Sequence, residues 1–358
     1  MAAGTRESSR LITVFTPSWA DEDNTNAQNL TVKEIVARLP EDRFHVGMIC
    51  GSKPDARIAL RKNTRLFRNL KHGNTVRLLR SLVFSRPDIY FFPRLGPLDH
   101  MFFNLKRYTP LRTKLLTYIV MEMNERTGAG LIQRAVGEAD WVFANSIHVA
   151  ESVKQRFGRE AEVVYDGVDH GLFFPPKDRE DRAIVVLYAG SFQARKRVES
   201  IIEQAIRHPH VEFRLAGKGE TERECRALSE RRGCGNVKFL GHLSHAELGT
   251  EMRASDVFLF PSVLEGHPQV LIQAAACGLP CVAMGVYRPD YVVDGESGFL
   301  VRSDQELSER LDLLLANRDV RLAMSAAAER HSWRFDWDRI AEQWASIFER
   351  ASAGIAKQ

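Results

Sequence analysis

The feature that most constrains this chain is a repeated pattern of short apolar runs, rich in Val, Ile and Phe, separated by segments of helical periodicity. The runs fall at 11–16 (LITVFT), 44–50 (FHVGMIC), 88–92 (DIYFF), 115–120 (LLTYIV), 141–145 (WVFAN) and 162–167 (EVVYDG). A strand with one wet face alternates apolar and polar residues. These runs do not alternate, so each strand has to be covered on both faces. Helices between the runs supply the cover, and strands joined through helices run parallel. A Pro-Pro break at Pro175 and Pro176 interrupts the series, which restarts at 184–190 (IVVLYAG), 212–217 (EFRLAG), 237–241 (VKFLG), 257–262 (VFLFPS) and 280–285 (PCVAMG). Two such sets predict an α/β chain of two doubly wound, Rossmann-like parallel-sheet domains.

Length agrees, since 358 residues exceed what one ordinary core holds. No run of about 18 apolar residues is present, so no membrane-spanning helix is expected. The polar start MAAGTRESSR lacks the apolar core of a signal peptide. Five scattered cysteines form no CxxC pair, which fits a reducing cytoplasm, each thiol serving as a small buried hydrophobe. Net charge is only +4 but uneven: from Lys53 to Lys114 there are 15 Lys and Arg against three acids, Asp55, Asp88 and Asp99. That excess reads either as a solvated basic face or as a surface for an acidic partner, such as anionic lipid, a phosphorylated glycan or a lipid-linked diphosphate. No nucleic-acid partner is expected.

Two helices carry clear stripes. In KRVESIIEQAIRH, Val198, Ile201, Ile202 and Ala205 share one face. In DWDRIAEQWASIFERA, Trp337, Ile340, Trp344 and Ile347 share a face that needs a large apolar surface to lie on.

Ligands of open α/β sheets bind at the carboxyl ends of strands, so the loops after the runs are where chemistry should lie. In VFLFPSVLEGHPQVLIQAAACGLPCVA a strand ends near Pro261 and a loop carries Glu265, Gly266 and His267. Pro268 suits a first helical turn, where its missing N–H costs nothing. The helix start then offers amides, those of Gln269 and Val270, and a positive dipole end suited to phosphate. Glu265 stands beside that anion site and should face neutral hydroxyls, which makes the ligand a sugar phosphate; the plain alternative is a surface Glu on an ordinary turn. In YAGSFQARKRVES, Gly190 closes a strand and Lys196 with Arg195 or Arg197 can clamp a diphosphate, against the alternative of a solvated basic loop. In RLAGKGETE, Gly217 and Gly219 shape a tight turn rather than bind pyrophosphate directly. His242 and His245 have no acidic company and read poorly as metal ligands. The DED cluster at Asp21 to Asp23 reads as a solvated loop.

Taken in order, EADWVFANSIHVAESVKQRFG, VVYDGVDHGLFFP, AGSFQARKRVESIIEQA, LEGHPQVLIQAAACGLPCVA and PDYVVDGESGFLV resemble the retaining family four glycosyltransferases, whose fold is GT-B. The second segment carries a GVD…F.P signature at Gly167, Val168, Asp169, Phe174 and Pro175, and the fourth an E-x7-E motif from Glu265 to position 273. The resemblance covers nearly the whole chain and is strongest from about Asp140. It implies two Rossmann-like domains facing across a cleft: an acceptor-side domain at 1–174, a nucleotide-sugar-binding domain at 175–335, and a helix at 336–358 returning to the first.

The resemblance also implies roles. Glu265 would hold hydroxyls of the donor sugar, Lys196 with Arg195 would neutralise the diphosphate, and Gly190, Ser191 and Gly217 would line the donor. The backbone of Gly266, His267, Pro268, Gln269 and Val270 would meet phosphate and sugar. Gln273 would grip the ribose, and Leu243 would edge the base. Asn24 and Glu122 would lie on the acceptor side. The chain departs from the family in having Gln273 for Glu, Ser191 for a usual Arg, no paired glycines in ADEDNTNAQN, and Met121 and Glu122 near a usual His. The implied function is retaining transfer of a sugar from a nucleotide-diphosphate sugar to a glycan or lipid-linked acceptor, as in polysaccharide or lipopolysaccharide synthesis. No metal or other cofactor would be needed, and the site would be cytoplasmic, peripheral at the inner face of an anionic membrane. The alternative is a nucleotide-sugar-binding protein of the same fold with little or no turnover.

Overall fold

Two parallel sheets form, in a computed structural model that describes residues 10–23, 27–68, 74–92, 96–123, 130–177 and 183–356. The first holds β1 (Ile12–Trp19), β2 (Phe44–Cys50), β3 (Thr64–Arg68), β4 (Ile89–Phe92), β5 (Lys114–Ile119), β6 (Trp141–Ala144) and β7 (Glu162–Val163), in spatial order β3-β2-β1-β4-β5-β6-β7. The second holds β8 (Val185–Ala189), β9 (Glu212–Ala216), β10 (Val237–Gly241), β11 (Val257–Phe260), β12 (Cys281–Met284) and β13 (Gly298–Val301), in order β10-β9-β8-β11-β12-β13. Every named strand pair is parallel. Both orders run outward from the first strand and then reverse across it, which is the doubly wound arrangement.

The unalternating runs behave as their composition requires. In β4, Ile89 and Phe91 enter one core cluster while Tyr90 and Phe92 enter the other, on the opposite face. The first cluster is closed by the last helix, Trp337–Ala356, whose Trp337, Ile340, Trp344 and Ile347 are all buried in it. Trp344 sits 4.7 Å from Phe91, 5.1 Å from Tyr118 and 5.0 Å from Phe143 between ring centroids. Truncating so large a buried ring typically costs about 3–5 kcal/mol. In the second unit the helix Val198–Arg207 buries Val198, Ile201, Ile202 and Ala205, the stripe expected from its spacing. Local chemistry sets boundaries as well. The Ser146 hydroxyl accepts from the Val149 amide (3.2 Å) to open the helix Ile147–Phe157, and Gly158 at φ 65° closes it.

Two edge strands escaped the pattern. β3, TRLFR, has only two apolar residues because it is a half-exposed edge strand, and its exposed Arg65 and Arg68 protect the open edge. β13, GFLV, is short and begins at a glycine; a Cβ on Gly298 would lie 2.5 Å from the Cys281 carbonyl oxygen, so only glycine allows this pairing.

The chain divides into one unit reaching Tyr165 plus the last helix from Trp337, and a second unit spanning Asp166–Asp336. The boundary therefore precedes the one at 174 expected from sequence. Residues 166–174 belong to the second unit because their polar groups are used there: the Tyr291 hydroxyl donates to the Asp166 carbonyl (2.9 Å) and the Val168 amide to the Phe335 carbonyl (2.8 Å). His170 adds contacts to Asp336 (3.1 Å) and Ser332 (2.9 Å) and stacks on Trp333.

Candidate functional site

In the second sheet the strand order reverses at β8, which has β9 on one side and β11 on the other. The loops after β8 and β11 flank that reversal, where open α/β sheets hold ligands. They carry Lys196 and Glu265.

The loop after β8 narrows into a 3₁₀ turn, Ala194–Lys196, and leaves it through Arg197 in the left-handed region at φ 52°. It is tied to the neighbouring loop by the Val263 amide, which donates to the Arg195 carbonyl (3.0 Å). This lacing buries Lys196, 7% exposed, against the face of Phe260, with its Nζ 4.9 Å from the ring centroid.

Glu265 is the centre. Its Oε1 receives Lys196 Nζ at 2.5 Å, Arg195 Nη1 at 2.8 Å and the Ser262 hydroxyl. Its Oε2 has no hydrogen-bond partner among the described residues, nor is it sealed from solvent. Arg195 is held in place by the Gln193 side-chain oxygen (3.0 Å) and the Leu264 carbonyl (2.7 Å). Burial pushes the Lys196 pKa below the ordinary lysine range; the Glu265 carboxylate opposes this without fully offsetting it. Two cations share one carboxylate, so the cluster keeps one excess positive charge. Beside it begins the helix Gln269–Ala276, with an N-terminus that adds positive potential. Pro268 occupies the position before the first helical residue rather than the first turn, with φ −70° and ψ 109°, and its carbonyl accepts the Leu271 amide at 3.0 Å. By the geometry of a helix start, the Val270 N–H has no carbonyl in its own helix. A positive cluster beside a helix start, with one free carboxylate oxygen, can take an anionic group and a hydroxyl donor side by side.

The glycines are packing requirements. The Phe192 amide donates to the Lys218 carbonyl (2.9 Å), the Gly190 amide to the Ala216 carbonyl (3.0 Å) and the Gly217 amide to the Gly241 carbonyl (2.6 Å), which laces three loops at one end of the sheet. A Cβ on Gly217 would stand 1.8 Å from the Gly190 oxygen, and one on Gly219 2.3 Å from the Phe192 oxygen. Gly190 is crowded by the Tyr188 hydroxyl, which donates to the Ser191 carbonyl at 3.0 Å. Leu243 lies half-buried in the loop after β10, in the same tier.

Gln273 is buried one turn into its helix. His267 is wholly buried and stacked on Tyr291 with centroids 3.6 Å apart; burial lowers its pKa to about 3, so it stays neutral. It holds the loop from inside while Gly266 stays half-buried at the surface. Of the acceptor-side residues, Glu122 follows β5 in the first unit, 3.6 Å from His148, and Asn24 lies outside the described residues. Sequence reasoning missed Ser262, Tyr188 and Tyr287. Ser262 had a signal, a hydroxyl directly after the end of β11. Tyr287 follows β12, in a loop that carries no motif of its own.

Residues 169–331 match the family model for glycosyl transferases group 1. The chain is 31% identical over 242 residues to the D-inositol 3-phosphate glycosyltransferases of Mycobacterium bovis and Mycobacterium tuberculosis, a match covering 61% of this chain. It spans 50% of those relatives' length. Among solved structures it is similar to sucrose-phosphate synthase from Thermosynechococcus elongatus, with TM-score 0.79, 19% identity and 96% and 100% of the two chains covered. It is also similar to Anabaena HepE in complex with UDP (TM-score 0.77, 19% identity, 95% and 100% covered). A third is the lipopolysaccharide outer core galactosyltransferase WaaB (0.73, 16%, 95% and 100%). These whole-chain likenesses show the GT-B fold, and the stretch at 169–331, within the second unit, matches the glycosyl transferases group 1 family.

Proposed function

We propose that this protein is a retaining glycosyltransferase that moves a sugar from a nucleotide-diphosphate sugar to a glycan or lipid-linked acceptor. One observation carries the reading: Glu265 spends Oε1 on Lys196, Arg195 and Ser262 and leaves Oε2 open beside a helix start. A diphosphate draws on the two cations and the helix amides, and a sugar hydroxyl donates to the open oxygen. Relatives of the same fold support it, since Anabaena HepE is solved with UDP and with UDP-glucose.

In the proposed reaction the bond between the anomeric carbon and the diphosphate oxygen breaks. The acceptor oxygen bonds to the same face of that carbon, and its proton passes to the departing phosphate. Charge then builds on the leaving group, where Lys196, Arg195 and the helix end at Gln269 and Val270 stabilise it without a metal ion. In this reading Gln273 meets the ribose, an amide that both accepts and donates. Ser191 and Gly217 border the diphosphate, Leu243 the base, and Glu122 and Asn24 the acceptor.

The acceptor would be presented at an anionic membrane surface on the cytoplasmic side. The basic stretch from Lys53 to Lys114 supports this, with Leu60 and Tyr108 exposed within it. No described helix is long and apolar enough to cross a membrane. Calorimetry and turnover with UDP-, GDP-, ADP- and dTDP-sugars test the donor side, with NMR of the product's anomeric configuration. A protein that binds none of them, or gives an inverted product, overturns the reading. Failure to co-sediment with anionic vesicles at low salt overturns the membrane part.

A further inference from the structure

Trp19 is an aromatic side chain exposed at the ligand end of the first sheet. β1 lies between β2 and β4, where the strand order reverses, and Trp19 is its last residue. A single exposed apolar residue ordinarily needs no explanation. This one is fastened from several sides while 37% of it stays open to solvent. β1 is irregular just before it: Thr16 pairs with Met48 and Trp19 with Ile49, so Pro17 and Ser18 lie outside the register. Such irregularities re-aim a side chain at the end of a strand. The Trp19 amide donates to the Asn29 side-chain oxygen (3.2 Å). The ring lies on Gly51, where a Cβ would stand 2.9 Å from its Cζ3, so glycine gives it that seat. Gly51 is fixed in turn by Asp21, which accepts its amide with both carboxylate oxygens (2.9 and 3.1 Å). Strand irregularity, amide, glycine and carboxylate together hold one ring still where open α/β sheets take ligands.

The surroundings of the ring decide what it holds. An acyl chain would need more apolar surface around it. The chain continues instead with Glu22 and Asp23, both exposed. Glu22 pairs with Lys53 at the surface (2.5 Å), and Asp23 accepts from the Ser52 hydroxyl (3.1 Å). A rigid aromatic face rimmed by exposed charged groups suits a ligand with an apolar face and hydroxyls at its edge. A sugar ring is such a ligand: its C–H face lies on the negative face of the indole, and its hydroxyls meet the charges. We propose that Trp19 is a stacking platform for a sugar ring of the acceptor, so that the part of the acceptor bound by the first unit is carbohydrate and not a lipid chain. The inference deepens the function proposed above and rests on it for the ligand's role as acceptor.

Methyl glycosides of glucose, galactose, mannose and N-acetylglucosamine, at millimolar concentration, test it, with binding to the full chain read by ligand-observed NMR. The wild type should bind at least one of them. Trp19→Phe keeps an aromatic face and should weaken that binding only slightly. Trp19→Leu keeps apolar bulk without the face and should weaken it roughly ten-fold. Gly51→Ala should weaken it as well, because the added methyl displaces the ring from its seat. UDP affinity should stay unchanged in all three variants, which also shows that they fold. No glycoside bound by the wild type, or binding that Trp19→Leu and Gly51→Ala leave unmoved, overturns the proposal, and UDP binding in the same samples then leaves the transferase reading intact. Glycoside binding that depends on Trp19 in a protein that binds no UDP keeps the sugar site and removes the transferase reading.

Discussion

Both sheets reverse their order beside their first strand, and both place a carboxylate in a loop at that reversal, but the two carboxylates are used differently. Asp21, just past β1, is buried and accepts from the Gly51 amide with both oxygens (2.9 and 3.1 Å), from the Ser52 amide, and from the Ser52 hydroxyl (2.7 Å). It was expected to lie in a solvated DED loop; instead it fastens the loops after β1 and β2. Glu265 accepts from the side chains of lysine, arginine and serine, and keeps one oxygen open. Backbone amides cannot turn away, so Asp21 is a permanent fastener. Lysine and arginine can rotate towards another anion, so Glu265 has partners it can exchange. Both carboxylates stand in loops flanking a reversal, and what each is bonded to sets them apart: Asp21 is held by backbone, while in the proposed reading Glu265 has side-chain partners free to exchange.

The contrast can be broken at its strongest point with Lys196→Ala. Losing a donor to developing charge should lower turnover by about 100- to 1,000-fold, or ~2.7–4 kcal/mol of barrier, with the fold retained by circular dichroism. Near wild-type turnover would remove Lys196 from the mechanism. Asp21→Ala should do the reverse: about 2–3 kcal/mol lost in a denaturant titration, with UDP binding unchanged. Burial alone would raise the Asp21 pKa, but the Ser52 hydroxyl and the Gly51 and Ser52 amides outweigh it and hold the group below the ordinary range. Its contribution is therefore present above the unfolded value of about 3.9 and lost as pH falls through the lower folded value. An acid-unfolding profile that Asp21→Ala leaves unmoved would refute this.

Asp99 sharpens the comparison by showing the opposite sign within the first unit. Burial pushes its pKa up to about 6, against the Gly96 amide (2.6 Å) and the Tyr90 hydroxyl (2.8 Å), which favour the charged form. The raised value means stability present at low pH is lost as pH rises through about 6. Asp99→Asn should flatten the stability profile between about pH 4 and about pH 6, measured by melting temperature across that range. The smallest effect belongs to Gln273→Glu, which should leave transfer intact or tighten donor binding by about ten-fold. Loss of donor binding in that variant would refute contact between position 273 and the ribose.

Much of this was legible before any coordinates. β2 coincides with the run FHVGMIC, because a strand buried along nearly its whole length is marked by unbroken apolar residues; β10 coincides with VKFLG although it is a half-exposed edge strand carrying Lys238. β3 was not legible, because an exposed edge tolerates Arg65 and Arg68, and two apolar residues among three polar ones give neither an apolar run nor an alternation. The loops carrying Lys196 and Glu265 could be found because they follow strands. What those side chains touch could not, since the loops are 69 residues apart in the pair formed by Arg195 and Leu264.

The sequence by itself determined the two doubly wound sheets, the apolar face of the last helix, and which loops stand at the carboxyl ends of the second sheet. These follow from local periodicity, which each segment carries in its own residues. Only the tertiary structure decided that Asp166–Phe174 joins the second unit, that Gly217 and Gly219 are demanded by carbonyls of a neighbouring loop, and that Glu265 shares one oxygen among three donors. Those facts depend on distances between loops brought together by strand order, and no single stretch of the chain encodes such a distance.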